Sequence, residues 1–468
     1  MEKEMTKGVR TLLGDPRKAV IKLSGPMMIA MLVQSLYNIV DGIWVAGLGS
    51  EALAAIGLFF PLFMIILSLA NGIGVGGSSA ISRKIGANDR NKADSAAIHT
   101  LIIGLLIGLL ITITIYPFLE NLFVAIGAKG DVIPMVVKYS RVLVGGSLIL
   151  IFSNIVSGIL RGEGDMKRTM LAMVTGSVIN IILDPLFIYT LKMGIAGAAW
   201  ATLLSITLTS ALMFSWLFIK KNTYVSFHFC GFRFNGKIIR EILRVGIPAS
   251  FAQLSMALAM FFLNMIIVKI AGSNGIAVFT SAWRIMLIGI VPLTGIAIGV
   301  TAVTGASYGA RDIEKLNTAY LYAIKIGVLM ELGVVVFIFI LAPQISWLFT
   351  YSNNASHLAP ALTQAMRWLV WFLPGVPLGM LTSSMFQGIG QGEKSLAVTI
   401  LRTIVFQLFF SYLFGISLHF GIVGVWAGII LGNITASIIG FIWGRRVVNK
   451  LSGLFSEHLF FEYTNKNV

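Results

Sequence analysis

Twelve apolar segments of membrane-spanning length follow one another along almost the whole chain. A bilayer core is about 30 Å thick, and an α-helix that rises about 1.5 Å per residue crosses it in about 20 residues. Hydrophobic residues make up 57% of the 468 residues, and charged residues make up 12%. A water-soluble protein of this size needs far more polar surface. The sequence therefore predicts an all-α integral membrane protein with twelve transmembrane helices.

The turn signals between the apolar segments place the ends of these helices. The predicted helices cover residues 17–49, 52–82, 94–124, 133–160, 168–191, 195–221, 238–271, 275–308, 316–349, 358–386, 394–418 and 422–447.

Basic residues are concentrated in every second gap between the predicted helices. Arg83, Arg168 and Arg445 mark three of these gaps, and Lys129 and Lys192 are the main exceptions in the alternate gaps. The positive-inside rule then places the basic gaps and both termini in the cytoplasm, and we expect a multi-pass protein of the cell membrane. Because topology accounts for the net charge of +16, we expect no nucleic-acid partner.

The two halves of the chain resemble each other at a spacing of 222 to 223 residues. AVIKLSGPMMIAMLVQSLYN has its counterpart in EILRVGIPASFAQLSMALAM, so that Pro26 corresponds to Pro248. Three glycine pairs keep this spacing: Gly49 with Gly272, Gly72 with Gly295, and Gly86 with Gly309. Each half has six predicted helices and both halves begin on the same side, which indicates parallel repeats of the kind found in transporters. We expect an N-terminal lobe (1–221), a cytoplasmic linker (222–236), a C-terminal lobe (237–447) and a cytoplasmic tail (448–468).

Two aspartates stand alone in otherwise uncharged helices, Asp41 in the first and Asp184 in the fifth. A carboxylate at bilayer depth costs about 2.5 to 3.5 kcal/mol on insertion scales, so such residues usually face the protein interior and mark an ion or substrate path. Each aspartate lies eight residues before the turn that ends its helix, and Thr202 lies eight residues after the turn that begins the sixth helix. All three residues are therefore expected about 12 Å below the same end of the bundle.

Further polar residues share helix faces with these aspartates. One stripe consists of Gln34, Tyr37, Asn38 and Asp41, and the other of Met173, Ser177, Asn180 and Asp184. If the stripes face each other, they line a polar cavity whose oxygens suit Na⁺ and whose paired acids suit a proton carrier. The residues alone leave H⁺ and Na⁺ open, together with a structural role in which the aspartates hydrogen-bond neighbouring helices. Pro26 and Pro185 each free a backbone carbonyl in these helices, which favours a kink or a cation ligand.

The C-terminal half does not repeat the two acids. The repeat aligns Asp41 with Asn264, and the eleventh helix offers Gln407 and apolar residues in place of Asp184. Ion coupling is therefore expected in the first lobe alone. Four charged residues lie within or near the later helices, either as an interior charge network or as side chains that reach the membrane interface: Arg284, Lys325, Glu331 and Arg402.

No motif indicates an ATPase or another enzyme. GIGQGEKS lacks the Gly-Lys-Ser order of a phosphate-binding loop, and neither aspartate lies in the Tyr-Asp or Gly-x-Gly-Asp setting of an intramembrane protease. We therefore expect no catalytic residues and no cofactor, and transport that draws on an ion gradient.

Several linked motifs resemble those of a known transporter family. They are IKLSGPMMIAMLVQSLYNIVDGIWVAGLG, ALAAIGLFFP, GVGGSSAISRKIGANDRNKA and GILRGEGDMKRTM. The sequence resembles the multidrug and toxic compound extrusion (MATE) family, most closely its archaeal DinF-like branch, over essentially the whole chain. The resemblance implies the MATE/MOP fold of two six-helix lobes. It also implies export of amphiphilic, often cationic organic compounds in exchange for H⁺ or Na⁺ by alternating access.

The resemblance also implies roles for particular residues. The proton or Na⁺ site would consist of Asp41, Asn180, Asp184 and Thr202. The drug cavity would be lined by Gln34, Tyr37, Tyr139, Asn154 and Met173, to which the stripes add Asn38 and Ser177. Pro26 would be the hinge of the first helix, and Glu163 would belong to a cytoplasmic gate. Other branches carry acids in the seventh and tenth helices, whereas ASFAQLSMALAM and TQAMRWLVWFLPGVP have none, so we expect no Na⁺ site there.

The alternative function is a lipid or lipid-linked oligosaccharide flippase of the same superfamily. A flippase for pyrophosphate-linked glycans would line its cavity with several Arg and Lys, whereas the stripes of the N-terminal lobe are neutral or acidic. This difference favours cationic cargo. We expect drugs and membrane lipids as partners, and a monomer.

Overall fold

The computed structural model describes residues 5–228, 232–350 and 356–465, the last eleven of these as backbone only. The helices are α1 (Lys7–Leu13), α2 (Pro16–Ala46), α3 (Ser50–Gly86), α4 (Arg90–Ile115), α5 (Leu119–Ala125), α6 (Val132–Gly145), α7 (Ser147–Gly162), α8 (Met166–Pro185), α9 (Ile195–Phe214), α10 (Gly236–Gly309), α11 (Ile313–Phe349), α12 (Ala359–Leu369), α13 (Val376–Gly388), α14 (Gly392–Ile400), α15 (Gln407–Tyr412) and α16 (Gly421–Asn465). Short 3₁₀ or π-helical segments continue several of them: Tyr116–Phe118, Leu186–Thr190, Ser215–Ile219, Ser356–Leu358, Val370–Gly375, Leu401–Phe406 and Leu413–Ser417.

Within the described residues, ten helical segments are long and apolar enough to cross a membrane, and α6 with α7 forms an eleventh that is bent by 48°. α10 has 74 residues, which corresponds to about 110 Å and is more than twice the thickness of a bilayer. It breaks at Gly272, whose φ of 61° and ψ of −154° suit a residue without a Cβ. α10 therefore supplies two spans, and the described residues contain all twelve predicted transmembrane helices.

Two predicted helices are less regular than the apolar pattern suggests. The segment predicted as one helix over 133–160 is divided at Gly146, where a Cβ would overlap the Leu203 side chain of α9. The segment predicted as one helix over 358–386 passes through the 3₁₀ turn Val370–Gly375, which contains Pro374. Close packing and a missing N–H donor cause these two breaks.

The sequence repeat recurs in the backbone. Gly49 and Gly272 both have positive φ, and four further pairs do so at nearly equal angles: Asn88 and Arg311, Gly164 and Gly390, Lys192 and His419, and Gly194 and Gly421. The members of each pair are 223 to 227 residues apart. The two halves therefore share the geometry of their turns as well as the order of their helices.

The two halves meet where α3 and α2 pack against α10. α3 contacts the first part of α10, where a Cβ on Gly72 would overlap the Ser250 side chain. α2 contacts the second part, where a Cβ on Gly295 would lie 2.6 Å from the backbone nitrogen of Met28. Because Gly72 and Gly295 correspond in the repeat, the interface between the halves has approximate two-fold symmetry and allows the backbones to approach closely.

The turns that carry the basic residues contact one another at one end of the bundle, which we call the basic end. It comprises the turns after α3, α7, α9, α10 and α13. Glu241 accepts an ion pair from Lys84 at 3.0 Å and from Arg83 at 3.6 Å, and Arg244 binds Glu393 through two hydrogen bonds of 3.0 and 3.1 Å. The Glu241 ion pairs join the two halves, and the Arg244–Glu393 pair joins α10 to α14 within the C-terminal half. We call the other end, which includes the turns at Gly49 and Gly272, the opposite end.

Candidate functional site

The packing of α2 against α8 brings Asp41 and Asp184 together. Their carboxyl groups lie within hydrogen-bonding range of each other. Asp184 is fully buried, and Asp41 is partly buried. Two carboxylate charges in such a site repel each other, because little water is present to screen them. A shared proton or a bound cation is what would stabilise this contact.

Asn180 and Thr202 complete a ring of oxygen-bearing groups around Asp184. In the amide orientation that satisfies both its groups, Asn180 donates to Oδ2 of Asp184 at 2.9 Å and accepts from the backbone N–H of Thr202 at 3.2 Å. The other carboxyl oxygen of Asp184, Oδ1, is buried without a hydrogen-bond donor among the described residues. Acceptors thus outnumber donors here, a composition that fits a proton or a hard cation such as Na⁺.

Two tyrosines lie beside the aspartates. The Tyr37 hydroxyl lies close to the Thr202 side chain. Tyr139 of α6 is almost fully buried, lies within electrostatic range of Asp41, and packs edge-on against Phe59 with the ring centres 5.3 Å apart. The structure thus brings together predicted site residues from α2, α6, α8 and α9.

The remaining residues of the predicted stripes are arranged less closely. Gln34 and Asn38 are exposed on α2, Ser177 is buried in α8, and Met173 is partly buried. Asn154 of α7 donates its amide to the carbonyl of Leu150 in its own helix at 3.0 Å. The ends of the two stripes that carry the aspartates therefore meet, and the polar residues at the other end of the α2 stripe are exposed.

A contact near the opposite end positions α2 on α8. Tyr189 lies in the π-helical turn that follows Pro185, and its hydroxyl donates to the backbone carbonyl of Trp44 at 2.5 Å. The two rings also meet edge to face, with their centres 6.1 Å apart. Trp44 is three residues beyond Asp41 on α2, so this contact holds the two carboxyl groups in register.

Glu163 lies at the basic end and links two turns. It is fully buried, and its Oε2 accepts hydrogen bonds from the backbone N–H groups of Tyr224 at 2.9 Å and Val225 at 3.0 Å. Burial raises the pKa of Glu163 to about 8, although the two N–H groups and Arg168 favour its charged form. Glu163 thus connects the end of α7 to the segment after α9.

A family model named MatE matches residues 26–186 and 248–413. The two matches begin at Pro26 and Pro248, the residues that the internal repeat pairs. This chain belongs to the MATE family. Its relatives are multidrug efflux transporters with a multi-pass membrane fold, so the predicted family and the all-α MATE/MOP fold are confirmed. Transporters of this family need no cofactor, and these comparisons do not favour the flippase alternative.

Three relatives illustrate how far the similarity of this MATE protein extends. The multidrug export protein MepA of Staphylococcus aureus (strain MSSA476) is 26% identical over 421 residues, which is 90% of this chain and 91% of MepA. A structure described as the outward-facing conformation of a multidrug resistance MATE transporter is 54% identical, with a TM-score of 0.94, and covers 96% of this chain and 100% of its own. A MOP superfamily transporter from Pyrococcus furiosus, whose structure is described as having a binding pocket of reverse polarity that suggests a different function, is 55% identical with a TM-score of 0.92 and the same coverage.

The C-terminal half of this MATE protein has no acid at the corresponding positions. Asn264, the counterpart of Asp41, has a buried side-chain oxygen without a hydrogen-bond donor in the described part of the chain, and Gln407 is buried. Among the described residues, no ion pair joins any of the four charged residues considered above for an interior network: Arg284, Lys325, Glu331 and Arg402. They therefore do not form a network of ion pairs.

Sequence reasoning missed the close contact between the halves at the basic end. The Ser79 hydroxyl donates to the carbonyl of Gln387 in the other half. A Cβ on Gly86 would overlap the carbonyl of Ala306, and a Cβ on Gly309 would overlap the carbonyl of Arg83. The signal in the sequence that could have predicted this contact is the repeated pair Gly86 and Gly309, because glycines allow two helix backbones to approach closely.

Proposed function

We propose that this MATE protein exports amphiphilic organic cations in exchange for H⁺ or Na⁺, and that Asp41 and Asp184 couple the two movements. The observation that carries the proposal is the contact between these two carboxyl groups, with Asn180 and Thr202 around Asp184. The similarity to MepA, a multidrug export protein, supports the substrate class.

The chemistry of the site supports competition between the coupling ion and a cationic drug. With no cation bound, two neighbouring carboxylates attract any positive charge that reaches the N-terminal lobe. A proton or Na⁺ at the pair removes that attraction, so drug and ion favour different states of the same site. Entry of the ion from outside then favours release of the drug to the outside.

The residues proposed to contact the drug surround the carboxyl pair. Tyr37 and Tyr139 supply aromatic faces beside Asp41, and Met173 supplies an adaptable apolar surface. We assign the same role to four polar residues: Gln34, Asn38, Asn154 and Ser177. Pro26 is proposed as the hinge of α2, because it lacks the N–H that would complete the helical hydrogen bonding at that point.

Two lobes that rock against each other would carry the site between the two sides of the membrane. We propose lobes at 1–221 and 237–447, a linker at 222–236 and a tail at 448–468, with the basic end and both termini in the cytoplasm. The halves contact each other from Gly72 to Gly86 on α3, which is about 21 Å of helix measured from the basic end. This contact and the similarity to an outward-facing structure support a state that is closed toward the cytoplasm, in which Glu163 helps to close the gate.

The test is efflux of ethidium or norfloxacin from proteoliposomes under an imposed pH gradient and, separately, under an imposed Na⁺ gradient. We expect one gradient to drive efflux in the parent protein and expect Asp41→Asn to abolish that response. A single symmetric gel-filtration peak and a thermal unfolding midpoint like that of the parent show that the variant is folded.

Two outcomes would contradict the proposal. If neither gradient drives drug efflux in the parent, the protein is not an ion-coupled drug exporter. If Asp41→Asn keeps full gradient-driven efflux, the coupling site lies elsewhere in the chain.

A further inference from the structure

A cavity of about 600 Å³ lies between α11 and α12, away from the carboxyl pair. Phe339 lines it from α11, Trp371 lines it from the 3₁₀ turn Val370–Gly375, and Thr363, Gln364, Arg367 and Trp368 line it from α12. Trp368 is 40% exposed and Trp371 is 49% exposed, so the cavity is open to the surroundings of the bundle. The α12 residues are spaced as one helical face, and the buried side of the helix packs into the lobe.

The position of Arg367 along α12 places the cavity near the membrane surface. α11 has 37 residues and is about 55 Å long, whereas a whole bilayer is about 40 to 45 Å thick, so each end of α11 projects by about 5 Å. Arg367 lies eight residues after the start of α12 at the opposite end, which is about 12 Å along the helix. We therefore expect the guanidinium about 7 Å below the bilayer surface, close to the headgroup layer where tryptophan side chains also concentrate.

Arg367 has unused hydrogen-bonding capacity. Within the described residues it makes no ion pair or hydrogen bond, and its guanidinium carbon lies 5.5 Å from the centre of the Phe339 ring. The guanidinium offers five N–H donors in a planar fork that matches a phosphate group, and the Gln364 amide beside it adds two more. The Thr363 hydroxyl is already engaged with the carbonyl of Ala359 at 2.9 Å.

We propose that this cavity binds an anionic phospholipid, with the phosphate on Arg367 and Gln364 and the upper acyl chains against Trp368, Trp371 and Phe339. Charge complementarity selects this occupant, because the exposed Arg367 guanidinium, unpaired among the described residues, attracts an anion and repels the cationic drugs proposed for the carboxyl pair. The aromatic walls favour a ligand that carries an apolar part as well as a phosphate.

The other half of the chain provides a natural control. Lys138 and Arg141 are exposed on α6 and precede Gln364 and Arg367 by the repeat spacing of 226 residues. In place of Trp371, however, α6 has Gly145, which faces the ring of Tyr116. The N-terminal lobe therefore has the positive charge without the two tryptophans. We expect the anionic phospholipid to bind the C-terminal lobe in preference to the N-terminal lobe.

Quenching of tryptophan fluorescence by brominated lipids tests the proposal. The full chain is placed in phosphatidylcholine vesicles that contain a small fraction of dibrominated phosphatidylglycerol or, separately, the same fraction of dibrominated phosphatidylcholine. Subtracting the signal of a Trp368→Phe, Trp371→Phe double variant isolates the two tryptophans of the cavity among the nine in the chain. We expect brominated phosphatidylglycerol to quench these two tryptophans about five-fold more effectively than brominated phosphatidylcholine. This is the preference that the attraction between one cationic side chain and an anionic lipid provides.

Matched variants assign the effect to Arg367. We expect Arg367→Gln to remove the preference and Arg367→Lys to keep most of it, while Arg141→Gln leaves it unchanged. Equal quenching by the two lipids in the parent, or an unchanged preference in Arg367→Gln, would overturn the proposal. Loss of the preference on addition of inorganic phosphate would also overturn it, because the site would then take a free anion rather than a lipid. None of these results depends on which ion drives transport.

Discussion

In the N-terminal lobe Asp41 meets Asp184 across two packed helices, whereas the corresponding residues of the C-terminal lobe, Asn264 and Gln407, carry no charge. The backbones of the two lobes are nevertheless alike, since their turns repeat the same positive φ angles. A fold of two similar lobes thus keeps its turn geometry while the polar groups inside each lobe diverge.

The difference has an energetic reason. Turn geometry is required in both lobes because both must pack as six helices and meet along α10. A buried carboxyl pair is costly in any lobe, because it must be neutralised before it is stable. Placing the pair in one lobe alone would supply the proposed ion site at half of that cost and would leave the other lobe as a well-packed partner.

The largest expected effect comes from neutralising the acids of the first lobe. Asp41→Asn and Asp184→Asn should each reduce gradient-driven drug efflux by about 100-fold, near the upper limit of usual coupling energies. The counterparts Asn264→Ala and Gln407→Leu should keep efflux within about two-fold of the parent. Drug efflux from proteoliposomes is measured for the two aspartate variants and for the two variants of the C-terminal lobe. Equal losses of drug efflux from the variants of the two lobes would contradict the assignment of ion coupling to the N-terminal lobe.

Next in size is the effect of separating the halves at the basic end. Gly86→Val adds atoms where the Ala306 carbonyl already lies, and overpacking of this kind costs about 1 to 3 kcal/mol. The closed basic end should open more often, and alkylation of a cysteine introduced by Ser79→Cys should accelerate by about 5- to 150-fold. Cys230→Ala removes the native thiol from this assay.

Gly57→Val is the matched control for that experiment. Gly57 lies in the same helix, and a Cβ there would meet no atom within 4 Å. We expect the alkylation rate of Ser79→Cys to stay unchanged in this background. Similar acceleration by both valines would show that helix propensity, and not the contact between the halves, sets the rate.

The third prediction concerns pH and Glu163. Its pKa in the folded protein is about 8, above the ordinary value of 4.5, so between these values the folded state holds a proton that the unfolded state releases. Stability should therefore fall as pH rises through this window, by up to about 1.4 kcal/mol per pH unit. Thermal unfolding midpoints measured from about pH 5 to about pH 9 should decline less in Glu163→Gln than in the parent. Exposed Glu120→Gln should retain the slope of the parent, and an unchanged slope in Glu163→Gln would disprove the assignment.

The smallest expected effect separates the two repeated prolines. Pro26→Ala restores a hydrogen-bond donor to α2, the helix that carries Asp41, and should slow drug efflux by a few-fold, about the size of one helical hydrogen bond. Pro248→Ala makes the same change in α10, beside no acid, and should alter efflux less. Initial rates in the same vesicles measure both variants. A larger loss of drug efflux from Pro248→Ala than from Pro26→Ala would contradict the assignment of the hinge to α2.

Much of this organisation is readable from the sequence because membrane helices follow simple rules. Counting eight residues from a turn was enough to place Asp41, Asp184 and Thr202 at one depth, and the structure brings the three together. The break of α10 was also predictable, since Gly272 repeats Gly49. In each case a spacing along the chain translates directly into a position along a helix.

Other features could not be predicted, because they depend on contacts without periodicity. Glu163 binds backbone groups of the segment after α9, where the sequence has no repeating pattern. The bend at Gly146 follows from the bulk of Leu203 in a different helix. The cavity at Arg367 requires two tryptophans that the matching helix of the other lobe lacks.

Calorimetric titration of ethidium into the purified protein tests the central claim most directly, because it counts the ions that the drug displaces. Titrations in two buffers of different ionisation enthalpy report protons released, and titrations with and without Na⁺ report competition by sodium. We predict that drug binding to the parent releases protons or weakens with Na⁺, that Asp41→Asn and Asp184→Asn lose this linkage, and that Asn264→Ala keeps it. Linkage that persists in both aspartate variants, or that is absent from the parent, would contradict coupling at this pair.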